Sequence, residues 1–478
     1  VSGETYTITN PAHKNQVLGA FQRSNNEDTV KAIEAAKQAL DGWASTPAPQ
    51  RAAVLFKALQ LMEERTDELA RSITIEEGKP IGDSLGEVKR SMNITEYAAG
   101  EGRRMFGNTT PSELPNTVAY TSRRPLGVVG IITPWNFPLA IPAWKIAPAL
   151  ICGNTLVFKP ASATPMTAVA LTKIFEDAGL PPGVLNLVTG PGGSVGNTIV
   201  DHPDVSGVSF TGSTEVGTAL YTRATQTLKK VQAEMGGKNA VIVLEDADMD
   251  AALGGIVTGA FGSTGQRCTA TSRVVVQESV YDAFMTELIE RTSKLTVGDG
   301  LDPEMDVAPL SSQSQFNTVM EYIGIGAEEG ATLAYGGNPR TDGDLDEGYY
   351  IEPTIFTDVD TNMRIAQEEI FGPVLTVFKA ADLDEAVEIT NNVKFGLSSS
   401  IYTMDIPQAF QYINTVETGI VHVNSPTLGG EVHLPFGGVK QSGVGTREQG
   451  TEAINFFTEP VTVYIDYSAG ARAQAKFI

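Results

Sequence analysis

The run Gly262-Ser263-Thr264-Gly265-Gln266-Arg267-Cys268-Thr269-Ala270 sets one of only two cysteines beside a guanidinium, among small and polar residues. A free cysteine is ordinarily a small buried hydrophobe. Cys152, inside Pro148-Ala149-Leu150-Ile151-Cys152-Gly153, fits that description, and Cys268 does not. An adjacent cation favours thiolate, and thiolate is the nucleophile. Cys268 therefore reads as a reactive sulfur, which needs a base and a donor for a developing oxyanion. On local sequence His422 or His433 could be that base, as in a cysteine hydrolase. Metal chemistry has no support, because His13, His202, His422 and His433 are scattered and neither cysteine stands at a ligand spacing from them.

Two turns have the texture of phosphate-binding loops. Gly190-Pro191-Gly192-Gly193-Ser194-Val195-Gly196 follows an apolar run and departs from the G-x-G-x-x-G dinucleotide fingerprint. In Phe210-Thr211-Gly212-Ser213-Thr214-Glu215-Val216-Gly217 a strand ends in Gly and Ser where a helix begins, which turns backbone N–H groups toward a phosphate. An ordinary strand-to-helix turn with a Ser cap has the same sequence.

These groups must be held by a chain of two halves. The first hundred residues read as helical. Glu27 and Asp28 favour a helix start, Val30, Ile33, Leu40 and Trp43 recur at helical spacing, and a second helix runs from about Gln50 with Leu55, Leu59 and Met62 on one face. A third spans Glu96–Phe106. From about residue 126, short apolar runs (127–132, 155–158, 184–188, 205–210 and 240–244) alternate with helical stretches (166–178 and 215–228). Runs at 273–277 and 374–378 continue the pattern after Cys268. That alternation predicts parallel sheets covered on both faces, an α/β fold in two domains. Segments 109–125 and 461–467 read as strands that belong to neither sheet.

Composition bounds the partners. Lys and Arg number 34 against 57 Asp and Glu, a formal charge of −23, which argues against nucleic acid. Two cysteines form no disulfide framework, no run reaches membrane-spanning length, and the start has no signal-peptide order, so the cytoplasm is the expected compartment.

Read together, Ile131-Ile132-Thr133-Pro134-Trp135-Asn136-Phe137-Pro138-Leu139, Lys159-Pro160-Ala161-Ser162, Phe210–Gly217, Glu234-Met235-Gly236-Gly237-Lys238, Gly265–Cys268, Glu369-Ile370-Phe371-Gly372-Pro373-Val374 and Pro435-Phe436-Gly437-Gly438 occur in order. The chain resembles the aldehyde dehydrogenase superfamily over essentially its whole length. The resemblance implies that Cys268 attacks an aldehyde, that Asn136 and the Cys268 backbone N–H hold the oxyanion, and that the thioester left after hydride transfer is hydrolysed with Glu234 as base. Glu234 separates the chain from branches that pass the acyl group to coenzyme A. Glu448 matches a second carboxylate that assists proton relay.

The same resemblance implies NAD or NADP as cofactor, near Ile132, Thr133, Pro134, Trp135, Lys159, Ser162, Gly192, Phe210, Gly212, Ser213, Met235, Gly236, Glu369 and Phe371. Ser162 stands where many NAD-preferring relatives carry Glu, so NADP is expected to be accepted. Arg103 and Phe137 are the expected substrate contacts. Arg103, with Arg104, resembles a segment that grips a distal carboxylate, while Gly262, Glu431 and His433 replace carboxylate contacts of succinate-semialdehyde enzymes. A dicarboxylic semialdehyde such as α-ketoglutarate semialdehyde is the expected substrate, with succinate semialdehyde or a broad aldehyde range as alternative. The implied architecture is a Rossmann-like cofactor domain (1–106 and 126–235), an α/β catalytic domain (236–457) and a small β oligomerisation element (107–125 and 458–478). A homodimer or homotetramer follows from such exposed strand edges.

Overall fold

The computed structural model describes residues 2–468, so the last ten residues of the expected third element lie outside the described residues. Two sheets dominate. The first has strand order Gly443–Val444, Lys230–Glu234, Val205–Thr211, Val128–Ile132, Thr155–Lys159, Leu185–Leu187. The five strands other than Gly443–Val444 pair in parallel; four of them are the apolar runs of the first half, and Lys230–Glu234 is added to them. Val128–Ile132 and Thr155–Lys159 are buried throughout, which is why they read as unbroken apolar runs rather than as alternation.

Chain order runs outward from Val128–Ile132 in one direction and then restarts on its other side at Val205–Thr211. Ligands of open parallel sheets bind at the carboxyl ends of strands at such a reversal. The loop after Ile132 and the turn after Thr211 meet there, and these are the two segments that carry Thr133–Asn136 and Gly212–Ser213.

The second sheet orders Thr332–Tyr335, Thr354–Thr357, Val374–Ala380, Thr271–Gln277, Asn239–Val243, Ser398–Tyr402 and Ile420–Val423, parallel except for the first pair. A third sheet joins Thr458–Asp466 to Thr117–Pro125 and Thr109–Pro111, the strands expected to stand apart.

Three features depart from expectation. The chain opens with an antiparallel hairpin, Thr5–Asn10 with His13–Gln22, instead of a helix. Its second strand has no fully buried residue, so it carries no alternation to read. Helix Ile81–Glu101 ends at Gly102, before Arg103 and Phe106. Gly443–Val444 crosses from the second half to pair with Lys230–Glu234 of the first sheet, and a two-residue strand leaves no sequence signal.

A buried ion pair ties the helical layer to the loop at the sheet reversal. Lys79 and Glu87 are fully buried, with Nζ 2.9 Å from Oε2. Lys79 also donates to the carbonyl oxygen of Asn136, and Glu87 Oε1 accepts from the N–H groups of Leu139 and Ala140 at 2.8 and 3.0 Å. Removing one partner of a buried pair leaves an uncompensated charge, at about 3–5 kcal/mol. Glu87→Ala is expected to lower the melting temperature by about 5 °C or more and to depress kcat through Asn136. The exposed Glu63→Ala serves as comparison, with a change below about 1 °C in a thermal melt.

Candidate active site

Cys268 lies just after a turn whose backbone is unusual. Ser263 and Thr264 have φ of 48° and 57°, and a β-branched residue in that region is a genuine outlier. Side-chain anchors hold it. Ser263 donates through N and Oγ to Asp83 Oδ2 (3.0 and 2.6 Å), and Thr264 Oγ1 donates to the Ala308 carbonyl at 2.8 Å. Strain kept in place by its surroundings is characteristic of functional sites.

Two cavities meet at this cysteine. One, of about 240 Å3, is lined by Cys268, Phe137, Trp144, Arg90, Arg267 and Phe436 among others. The second, of about 210 Å3, is lined by Cys268, Asn136, Pro134, Trp135, Gly212, Ser213, Met235, Gly236, Glu369 and Phe371 with a few neighbours. Cys268 therefore stands on the wall shared by two chambers. No histidine lines either.

Asn136 is buried and donates one amide N–H to the Gln266 carbonyl at 3.1 Å. A carboxamide carries two N–H donors, so the other is left for a ligand in the chamber. Glu234 ends its strand and is buried, with Oε2 accepting from Gly438 N at 3.3 Å. A side chain at Gly437 would collide with Glu234 Oε1, and one at Gly236 with the Glu369 carboxylate. The glycines of the two motifs are thus the space that the two carboxylates occupy. Glu369 is fixed by the Gly237 N–H at 3.0 Å. Glu448 pairs with the buried Lys145, whose Nζ also donates to Ser209 Oγ at 2.9 Å, and its Oε2 has no partner.

Burial dominates the electrostatics. It pushes the Cys268 thiol up to about 12, with Glu369, Glu234 and Glu448 adding to the effect. Burial, with Glu448, holds Glu234 well above the usual carboxylate range. Glu369 is raised to about 7 by burial. Arg267, whose partner the sequence left open between the thiolate, the substrate and solvent, is 3.0 Å from Asp83 and 2.8 Å from Ser263 Oγ.

The remaining expected contacts separate into two groups. Ile132 and Lys159 end adjacent strands at the same sheet edge, and the Lys159 amine, lowered to about 8 by burial, donates to the Pro160 carbonyl. Thr133 Oγ1 is buried without a partner. Ser162 Oγ donates to the Gly190 carbonyl at 3.1 Å, and Gly192 begins the wide π-helical turn Gly192–Gly196. Phe210 packs beneath Gly212 in the core instead of lining the chamber. Arg103 is corrected outright. It is exposed beyond the end of helix Ile81–Glu101 and lines neither chamber, because that helix turns its preceding residues, Gly86, Glu87 and Arg90, to the cysteine. Its neighbour Arg104 pairs with Glu101. Arg90 and Trp144 carried no motif of their own; only helical spacing from Glu87 could have pointed to Arg90.

The aldehyde dehydrogenase family profile matches residues 1–463. The chain belongs to the aldehyde dehydrogenase family, and its chemistry is NAD(P)-dependent oxidation of an aldehyde. It is 46% identical over 464 residues to an alpha-ketoglutaric semialdehyde dehydrogenase of Bacillus subtilis, covering 97% of this chain and 95% of that protein. It is also 46% identical over 467 residues to an alpha-ketoglutarate semialdehyde dehydrogenase of Haloferax volcanii, covering 98% and 96%. Among solved structures, betaine aldehyde dehydrogenase of Staphylococcus aureus in complex with NAD+ superposes with a TM-score of 0.95 at 34% identity, over 97% of this chain and 92% of that one. An NADP-dependent enzyme of Escherichia coli does so with a TM-score of 0.93 at 38% identity, over 97% and 95%.

A thiol held this high reacts only through its minor thiolate fraction. Alkylation of Cys268 by iodoacetamide is therefore expected to climb by about tenfold per pH unit from 7 to 9.5 without a plateau. Arg267→Gln should alter it by less than about threefold, since Asp83 already neutralises that cation. A plateau near neutrality, or a large loss in the variant, would restore Arg267 as activator.

Proposed function

We propose that the protein oxidises a short aldehyde ending in a carboxylate, of the α-ketoglutarate semialdehyde class, to the acid through covalent catalysis at Cys268. The observation that carries the reading is the position of Cys268 on the wall between two chambers. A nucleophile there can meet an aldehyde from one side and a redox cofactor from the other. The activities of the two relatives that are 46% identical favour the dicarboxylic semialdehyde. A cysteine hydrolase is disfavoured because neither chamber offers a histidine.

The Cys268 thiol gives up its proton to solvent as Sγ attacks the aldehyde carbon, and the carbonyl π bond opens onto oxygen. The charge that grows on oxygen is met by the second N–H of Asn136 and the backbone N–H of Cys268, and one such donor is worth about 3–4 kcal/mol in a transition state. Bound NAD or NADP supplies the hydride acceptor. Glu234, turned from Gly438 toward the sulfur, takes a proton from water, whose oxygen bonds to the thioester carbon as the C–S bond breaks. The acid leaves and the sulfur is regenerated. A carboxyl raised by burial is a better base at neutral pH than an ordinary one, and Lys145 with Glu448 offers the next proton acceptor behind it.

The second chamber fits the nicotinamide end of the cofactor, because glycine at 236 leaves room beside Glu369 and Ser213 caps the helix Thr214–Thr225 at the chamber wall. Glu369 would hold a ribose, Ser213 and Gly212 the phosphates, and Lys159, Ser162, Thr133, Ile132 and Gly192 the adenosine side, with Trp135, Pro134, Met235 and Phe371 as walls. Ser162 adds no negative charge, so a 2′-phosphate meets no repulsion there. Exposed Val118, Tyr464 and Ile465 on the third sheet favour a homodimer or homotetramer. Two free cysteines favour a reducing cytoplasm.

Initial rates of reduced-nicotinamide absorbance with both cofactors test the reading. kcat/KM with NADP is expected to equal or exceed that with NAD, and a strong NAD preference would remove the Ser162 argument. Glu234→Gln is expected to lower steady-state turnover by about 100-fold or more and to abolish the rise of kcat with pH as the carboxyl loses its proton. Retention of that limb in the variant would assign the base elsewhere.

A further inference from the structure

The Cys268 chamber has two arginines, and they differ. Arg267 is neutralised by Asp83, and the nearby Glu87 is taken up by Lys79. Among the described residues Arg90 has no carboxylate partner, although acidic residues outnumber basic ones by 57 to 34 in this chain. Its guanidinium donates to the Gly430 carbonyl and, at 3.1 Å, to Gln449 Oε1. Other buried arginines without a carboxylate, Arg51 and Arg273, each donate to three backbone carbonyls in the interior and face no ligand chamber. Arg90 instead forms chamber wall and also lines the outer groove that opens from it, where Glu431 is paired with His433.

A second observation is independent of charge. Arg90 lies over the ring of Trp144, 5.7 Å from its centroid. Trp144 lines the same chamber and its indole N–H is buried without a hydrogen-bond partner. Buried donors are rarely left unpaired, and each such group calls for an explanation. The amide nitrogen of Gln449, beside Arg90, is likewise buried and unpartnered. Gln449 itself lines neither cavity, so the groups that share the chamber wall are a cation lacking a counterion, Arg90, and one unanswered N–H donor, the Trp144 indole.

We infer that Arg90 and Trp144 are the specificity-determining residues that bind the far end of the substrate, a carboxylate whose planar oxygens accept from the guanidinium and from the indole N–H. Arg90 offers a fixed fork of donors, which suits such a planar group better than an ammonium does. The inference rests on the acidic-aldehyde reading and names the residues that read the acid.

The test compares kcat/KM for 2,5-dioxopentanoate and for pentanal, equal in chain length and differing in the anionic end, in wild type, Arg90→Lys, Arg90→Gln, Trp144→Phe and Arg103→Gln. Charge-assisted hydrogen bonds of this kind correspond to about 10- to 100-fold in affinity. Arg90→Gln is expected to lose about that factor for the acid, carried mainly by KM, with a much smaller change for pentanal. Arg90→Lys should recover part of the loss. Trp144→Phe, which removes the indole N–H together with part of the aromatic wall, should cost the acid about 3- to 10-fold more than it costs pentanal, and Arg103→Gln should affect neither. Equal losses for both aldehydes would show that Arg90 merely braces the Gly430 loop, overturning the inference while leaving the acidic-substrate reading intact. A wild-type enzyme that prefers pentanal would overturn that reading and the inference with it.

Discussion

Restricted access of water to one sulfur, reached only through the two chambers that it lines, is the constraint on which the rest of the site depends. Burial is the largest influence on Cys268, on Glu234 and on Glu369, and in each case it opposes charge. A desolvated thiol beside desolvated carboxylates is slow to ionise by itself, and that is compatible with catalysis only if protons move during the reaction. In the proposed mechanism the same exclusion of water would strengthen the Asn136 amide as an oxyanion donor, because hydrogen bonds act through a lower dielectric there. It also protects a thioester until a base positions one water.

Holding such a site requires charged groups in the interior that have no role in the chemistry. Lys79 and Glu87 are fully buried and fix the backbone on both sides of Phe137. Asp83 serves the opposite wall, where it accepts from the strained turn before the cysteine and neutralises Arg267. Two carboxylates on one helix, Asp83 and Glu87, thereby set the positions of the nucleophile and of its oxyanion donor. The glycines opposite Glu234 and Glu369 complete the arrangement by leaving space, and they show why these short motifs occur as pairs of a glycine and a distant acid.

Much of this was legible in the sequence because it is written in local pattern. The buried parallel strands Val128–Ile132, Thr155–Lys159 and Val205–Thr211 appear as continuous apolar runs, and Cys268 stands out by its polar company. The opening hairpin was missed because its strands are largely exposed and show no periodicity. Gly443–Val444 joins the first sheet through two residues, too few for any signal. Arg90 was missed, and Arg103 chosen in its place, because a paired-arginine segment is visible in sequence while the face of a helix turned toward a cavity is set by packing. The role of Arg267 stayed open for a related reason: adjacency in sequence to a cysteine says nothing of which carboxylate the guanidinium will meet.

The account stands or falls on a covalent intermediate at Cys268 whose release depends on Glu234. Intact-protein mass spectrometry of Glu234→Gln, mixed with NADP and 2,5-dioxopentanoate and quenched in acid, reads this directly. The predicted result is an acyl adduct that peptide mapping places on Cys268, absent from the Cys268→Ala variant and absent without cofactor. Reduced cofactor formed with no adduct, or an adduct mapped to Cys152, would contradict it.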